Sequence, residues 1–253
     1  MLPIRKKTTP EVLLEKQKIA KERGLNSVDA YALLDHDAKT IILESLMSEQ
    51  GHLCAYCMRR LPDERVYNLK KKDGTQLEDT DDFHPVTIEH WLPRSTSPEK
   101  ERGQGLDYNN MLAVCSGNRG CRGTRRTRDL TCDAKRAKNH PQLTLNPVDF
   151  DTLKYIQYKE DGTMYSENPD VDDDITVKLN LNCISGTVQL PTSRKKVLEA
   201  LQEDVYSYPE EERAAFCEAV LRMYEDQTDP KSEYSGILIW WLHDYLSNAN
   251  TTY

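Results

Sequence analysis

Apolar positions along this chain fall into two helical blocks separated by a stretch with little periodicity. In the first block, Thr9-Pro10-Glu11 reads as an N-cap, a first-turn proline and an acid matched to the helix dipole. Val12, Leu13, Ile19 and Ala20 then share one face, and Gly24 supplies a C-cap. A second helix is predicted from Val28 or Ala38 to Glu49, with Ile41, Ile42, Leu43 and Leu46 apolar and Gly51 as its stop. From Ser193 onward the helical period returns, with Val197, Leu198 and Leu201 on one face, then Phe216, Val220, Leu221 and Tyr224 on another. Ser235–Leu246 is strongly apolar but shorter than the ~20 residues of a membrane span, so it predicts a buried helix. Between the blocks, Leu153–Tyr158 and Thr163–Ser166 flank Glu160-Asp161-Gly162 and predict a β-hairpin. The acidic run Asp170–Asp174 reads as a solvated loop, because no regular ligand spacing follows it.

These patterns divide the 253 residues into an N-terminal helical region (1–51), a central region (52–150) and a hairpin followed by C-terminal helices (151–253). Composition then narrows the function classes. The net charge of -8 means that the chain as a whole is no coat for a polyanion, and any anion-binding surface must be local. With neither a signal-peptide pattern nor an apolar span, the expectation is a soluble cytoplasmic protein that does not engage a membrane. Within the central region, Lys70–Asp82 and Thr96–Gly105 read as variable, solvated loops. Seven cysteines are an odd number, which argues against a closed disulfide framework, and five of them cluster in the central region. In a reducing compartment such clustering points to metal.

Cys54-Ala55-Tyr56-Cys57 is a two-residue-gap pair that turns both sulfurs toward one tetrahedral ion. Thiol redox chemistry uses the same spacing, but it wants the pair between a strand and a helix of a βαβ unit. Here the pair follows a helix and more cysteines lie downstream, so zinc is the expectation. Cys115, after the apolar run Met111-Leu112-Ala113-Val114, reads as the start of a second knuckle whose partner is Cys121 or Cys132. The bland alternative is a set of ordinary buried thiols.

Between the two halves of the cluster, Val86-Thr87-Ile88-Glu89-His90 is a β-branched run that predicts a strand presenting His90 at its end. A lone histidine there is most often structural. Glu89 beside it, Asn110 twenty residues on and the flanking cysteines shift the reading toward catalysis. A zinc module that binds nucleic acid or a protein partner without catalysis is the competing class. The segment Arg119–Lys138 gathers Arg119, Arg122, Arg125, Arg126, Arg128, Lys135, Arg136 and Lys138 against Asp129 and Asp133 alone. Such local concentration is the footprint expected of phosphate contacts, and the plain alternative is a solvated loop.

Cys54/Cys57, Glu89-His90 and Leu106–Cys115, in which Asn110 stands five residues before Cys115, together resemble the HNH endonuclease family. The resemblance implies an α+β fold: a zinc-stabilised ββα-metal (HNH) core flanked by the N-terminal and C-terminal helical regions and the small β-hairpin. In that family the third metal-site position directly follows the fourth cysteine. Cys132 as fourth ligand puts Asp133 there, whereas Cys121 puts Arg122 there, and a cation does not ligate a metal. Cys132 is therefore preferred and Cys121 kept as the alternative. The motif becomes His-Asn-Asp, a departure from the family's usual His or Asn. The implied chemistry is phosphodiester hydrolysis, with neutral His90 as general base and Asn110 bracing its loop. Glu89 and Asp133 would hold a catalytic divalent ion, expected to be Mg²⁺. A structural Zn²⁺ on Cys54, Cys57, Cys115 and Cys132 would have no open position.

A narrower resemblance runs over Glu49–Cys57, Ile88–Ser95, Leu106–Cys115, Thr131-Cys132-Asp133 with Leu145-Asn146-Pro147, and Tyr234–Leu242. These blocks resemble the PtuB family, the HNH effector nucleases of Septu antiphage defence systems, which are also found attached to retrons. That implies a PtuA-like ATPase as partner and, where a retron is present, a reverse transcriptase with its RNA–DNA hybrid. In the C-terminal third, Tyr206, Tyr208, Tyr224 and Tyr245 are packing residues on the plain reading and a docking face on the other.

Overall fold

Backbone conformation sets the ends of the first N-terminal helix, and capping side chains set the starts of the next two. The computed structural model describes residues 1–62, 86–94, 104–119, 127–136, 142–185 and 189–249. Helix α1 (Glu11–Arg23) starts after Pro10, which stands at the N-cap position, and stops at Gly24 with a left-handed φ of 62°. Of the two starts expected for the second helix, the later is close to the observed one: α3 (His36–Glu49) begins two residues before Ala38, and the stretch from Val28 belongs to a separate helix, α2 (Ser27–Ala32). Asp35 makes the break: its carboxylate accepts the Ala38 N–H at 2.9 Å and starts α3 afresh. Asn26 caps α2 in the same way, accepting from Val28 and Asp29.

Strands β1 (Thr87–His90) and β2 (Met111–Val114) pair antiparallel, with Glu89 opposite Leu112 and His90 opposite Met111. Every residue of β2 is buried, as its apolar sequence requires. Helix α4 (Cys132–Arg136) is tied to β1 through Arg136. The short helix α5 (Phe150–Leu153) leads to the predicted hairpin, β3 (Gln157–Tyr158) with β4 (Met164–Tyr165). Lys159 donates to the Thr163 carbonyl at 2.8 Å to close it, with Gly162 at φ 84°.

The acidic run is helical, not a solvated loop. Helix α6 (Pro169–Asp173), capped by Asn168, runs into a π turn over Asp174–Lys178. Asp174 is fully buried, accepting the N–H groups of Thr144 at 2.6 Å and Leu145 at 2.7 Å, with Lys178 beside it at 2.6 Å. One carboxylate of the run is turned inward to satisfy backbone donors of a distant segment, which the charge pattern does not announce. The loop expected at 96–105 differs likewise at its end. Gln104–Leu106 forms a 3₁₀ turn with Gly105 and Leu106 buried, while residues 95–103, like the predicted loop Lys70–Asp82, lie outside the described residues.

Helices α7 (Leu190–Ser207), α8 (Glu210–Asp226) and α9 (Ser235–Ala249) complete the fold, with Ile237, Leu238, Trp241 and Leu242 of α9 buried as predicted. Tyr206 and Tyr245 pack on Trp241, and Tyr208 stacks on Phe216. Buried apolar residues from Met1 to Leu242 form one cluster. Ile4 donates to Pro147, Tyr234 donates to Met58, and the Gln50 amide bonds Leu53 and Ala113, so the three regions share a core. Among the described residues, no helix is long and apolar enough to cross a membrane.

Candidate metal centre and active site

Two tight turns gather the sulfurs. In the first, Cys54 donates its N–H to the Arg59 carbonyl at 2.9 Å and Met58 donates to Cys54 at 3.0 Å, with Met58 left-handed at φ 60°. In the second, β2 delivers Cys115 to a turn at Gly117, φ 57°. A Cβ on Gly117 would stand 2.0 Å from the Thr131 carbonyl oxygen, and Thr131 donates to Gly117 at 3.0 Å. That close approach brings Cys132, the first residue of α4, up to Cys115. All four cysteines are buried, with sulfurs 3.9 Å apart for Cys54–Cys132 and 3.8 Å for both Cys57–Cys115 and Cys115–Cys132.

Bonds of ~2.3 Å from zinc to four tetrahedral sulfurs imply edges of ~3.8 Å, so the spacing and the thiol donors fit a zinc-type ion. Hydrogen bonds from Cys132, Cys54 and Cys57 hold the Cys115 thiol well below its ordinary range. Burial opposes the charge on Arg59, but the four neighbouring sulfurs outweigh it and push its guanidinium up. Arg59 thus stands where it offsets the excess negative charge of a four-thiolate site. Cys121 lies outside the described residues, and the set of four is complete without it. Cys183 and Cys217 are buried elsewhere.

His90 closes β1 and is only 6% exposed. Its Nε2 lies 3.1 Å from the Gly105 carbonyl oxygen. A carbonyl only accepts, so Nε2 carries the proton and Nδ1 the lone pair. Burial lowers the pKa of His90 to about 4 against the pull of the Gly105 carbonyl, and the Arg94 charge adds to the lowering. The ring is neutral at pH 7. Gly105 is pinned by α2, since a Cβ there would meet the Ser27 carbonyl oxygen at 2.0 Å. Tyr31, also on α2, meets the His90 ring edge-on with centroids 4.9 Å apart. Sequence reasoning missed both contacts. A glycine in a polar loop was the only trace.

Asn110 fixes the chain just beyond His90. Its Oδ1 accepts the Leu92 N–H at 2.7 Å, its Nδ2 donates to the Leu92 carbonyl at 3.0 Å, and its backbone carbonyl accepts from Trp91 at 2.9 Å. The Trp91 indole in turn donates to Leu145 at 2.7 Å.

The fold brings Asp133 near enough to Glu89 for its charge to act on the Glu89 carboxyl. Burial and then the Asp133 charge push the Glu89 carboxyl well above the usual range, with Arg136 opposing them. Arg136 is 1% exposed, bonds Glu89 Oε1 at 2.6 Å and reaches the carbonyls of His90 and Trp91. This corrects the expectation that Arg136 contacts phosphate. Standing three residues after Asp133 on one helix face, it is directed inward as the counter-ion of Glu89. Of the other expected phosphate contacts, Arg119 and Arg128 are exposed and Lys135 is half-buried. Arg122, Arg125, Arg126 and Lys138 lie outside the described residues. Among the described residues the four cysteines are the one cluster of three or more metal-binding side chains, and Glu89 with Asp133 is a pair of oxygen donors. No protein-family model matches the chain, and no curated protein matches it.

Proposed function

We propose that this chain is a metal-dependent HNH endonuclease that hydrolyses phosphodiester bonds in nucleic acid. The observation that carries the reading is His90: a buried, neutral imidazole whose Nε2 proton is committed to Gly105, on the strand that also carries Glu89, whose carboxyl is acted on by the charge of Asp133. The order β1, β2, α4, with four cysteines binding its ends together, supports a ββα-metal core.

In this mechanism His90 Nδ1 takes a proton from the attacking water. Asn110 holds Leu92 and with it the chain that positions His90. Glu89 and Asp133 offer hard oxygen donors suited to Mg²⁺, and Arg136 offsets their charge. Such an ion, when bound, supplies stabilisation of the charge that develops on the phosphoryl group and the leaving oxygen. Cys54, Cys57, Cys115 and Cys132 would hold a structural zinc ion that ties the strands and α4 together, with no open position for chemistry.

The sequence resemblance carries the proposal further, to a cytoplasmic toxic effector of a Septu or retron-type antiphage system. There it would work with a PtuA-like ATPase and, in a retron-linked system, a reverse transcriptase with its RNA–DNA hybrid. One observation favours a second reading, a non-catalytic zinc module: Arg136 already occupies Glu89 at 2.6 Å. Incubating the protein and His90→Ala with plasmid DNA and total RNA, with Mg²⁺ or with chelator, separates the two. Metal-dependent cleavage lost in the variant supports the nuclease. Cleavage that survives His90→Ala, or none by the protein alone and as a complex with its ATPase, refutes it.

A further inference from the structure

Helices α2 and α3 and strand β1 enclose a cleft of about 490 Å³ whose lining includes Tyr31, Asp35, Lys39, Thr87 and Ile88. Tyr31 links this cleft to His90 through their edge-on contact. Two cations rest against the same tyrosine ring, Lys39 Nζ at 5.1 Å and Arg94 Cζ at 4.2 Å from its centroid. Among the described residues neither cation has a carboxylate partner. Asp35, the acid of the lining, is turned to capping α3 through Ala38. An aromatic ring steadies a cation without neutralising it, so both charges stay available to an anion. The pairing also joins two complementary donors: a guanidinium fork matched to phosphate oxygens and a compact ammonium.

We propose that Lys39 and Arg94, held on Tyr31, form a binding site for backbone phosphates of the nucleic-acid substrate next to the bond that is cut. The inference rests on His90 acting as the general base. It moves part of substrate binding from the arginine-rich segment 119–138 to the N-terminal helices. Tyr31 touches both Arg94, 4.2 Å from its centroid, and the His90 ring, 4.9 Å away, so the site adjoins the reacting centre.

The test uses the full chain and labelled single- and double-stranded oligonucleotides of DNA and of RNA. Affinity is read by fluorescence anisotropy over a salt series without added Mg²⁺, and cleavage of the same molecules is read with Mg²⁺. Lys39→Ala with Arg94→Ala should weaken binding by about 10-fold or more and lower the slope of log K against log salt by about one to two. The charge-keeping pair Lys39→Arg with Arg94→Lys should keep the parent's salt slope and bind more tightly than the double alanine variant, which separates lost charge from lost fold. Lys196→Ala, an exposed lysine of α7, should leave affinity and slope unchanged. The polymer whose affinity falls identifies the substrate as DNA or RNA. Unchanged affinity and slope in the double alanine variant, with a parent that binds and cleaves, overturns this site and leaves the nuclease reading standing. A parent that neither binds nor cleaves, alone and as a complex with its ATPase, removes that reading, and this proposal with it.

Discussion

The side-chain amide of Asn110 closes on both backbone groups of Leu92, accepting its N–H at 2.7 Å and donating to its carbonyl at 3.0 Å. This pair fastens the residue before β2 to the chain two residues beyond His90. Asn110→Ala leaves a partly buried N–H and C=O without partners, a loss of about 1–3 kcal/mol. On the proposed reading the variant should keep the parent's zinc content, melt earlier and cleave at least about 10-fold more slowly. Metal content, thermal melting and initial rates, read together, check this.

Zinc content distinguishes the sulfurs. Cys132→Ser should lower bound zinc below one per chain and broaden thermal unfolding, because the fourth edge-sharing sulfur is gone. Cys121→Ser should retain one zinc. Elemental analysis of both purified variants decides the matter, and equal loss would overturn the ligand set.

The pKa of His90 gives a sign for pH dependence. An unfolded histidine takes up a proton near pH 6.5, whereas the folded one waits until about pH 4. Between these values the unfolded state binds more protons, so stability falls as pH falls through that window. From pH 7 to pH 5 the His90 share is about 2 kcal/mol, and His90→Asn should lose it. Urea titrations of the two proteins at both pH values measure the difference. Cleavage, on the same ground, should show no histidine step near pH 6.5.

Arg136 and Glu89 should behave as one unit. Arg136→Met leaves a buried carboxyl without its counter-ion, a loss of about 3–5 kcal/mol. Adding Glu89→Gln should recover most of it, while cleavage stays lost in every Glu89 variant. A double-mutant cycle by urea unfolding reads the coupling, and additive losses would show the pair to be independent.

Local signals carried what the sequence made legible. Gly24 ends α1, Gly162 turns the hairpin, the β-branched run delivers His90 to a strand end, and the cysteine pattern marks three sulfurs of the set, the choice of Cys132 over Cys121 resting on the family resemblance. Each depends on residues close in sequence or on a fixed ligand number. What stayed hidden depends on partners far along the chain. Asp174 is buried because Thr144 and Leu145 need an acceptor, and Arg136 is buried because Glu89 faces it. Gly105 is a turn residue until Ser27 packs on it. The break at Asp35 is the exception: its capping chemistry is written locally and decides between the two starts, Val28 and Ala38, that the apolar pattern allows.

The contact between Ser27 and Gly105 has a consequence for how small this protein can be made. The tautomer of His90 depends on where the Gly105 carbonyl rests, and that resting place is a surface of α2. A fragment cut to residues 52–150 would keep all four sulfurs, Asn110 and both carboxylates, yet it would lose the wall that aims the carbonyl. On the proposed nuclease reading, the smallest competent unit is therefore larger than the stretch that carries the motif.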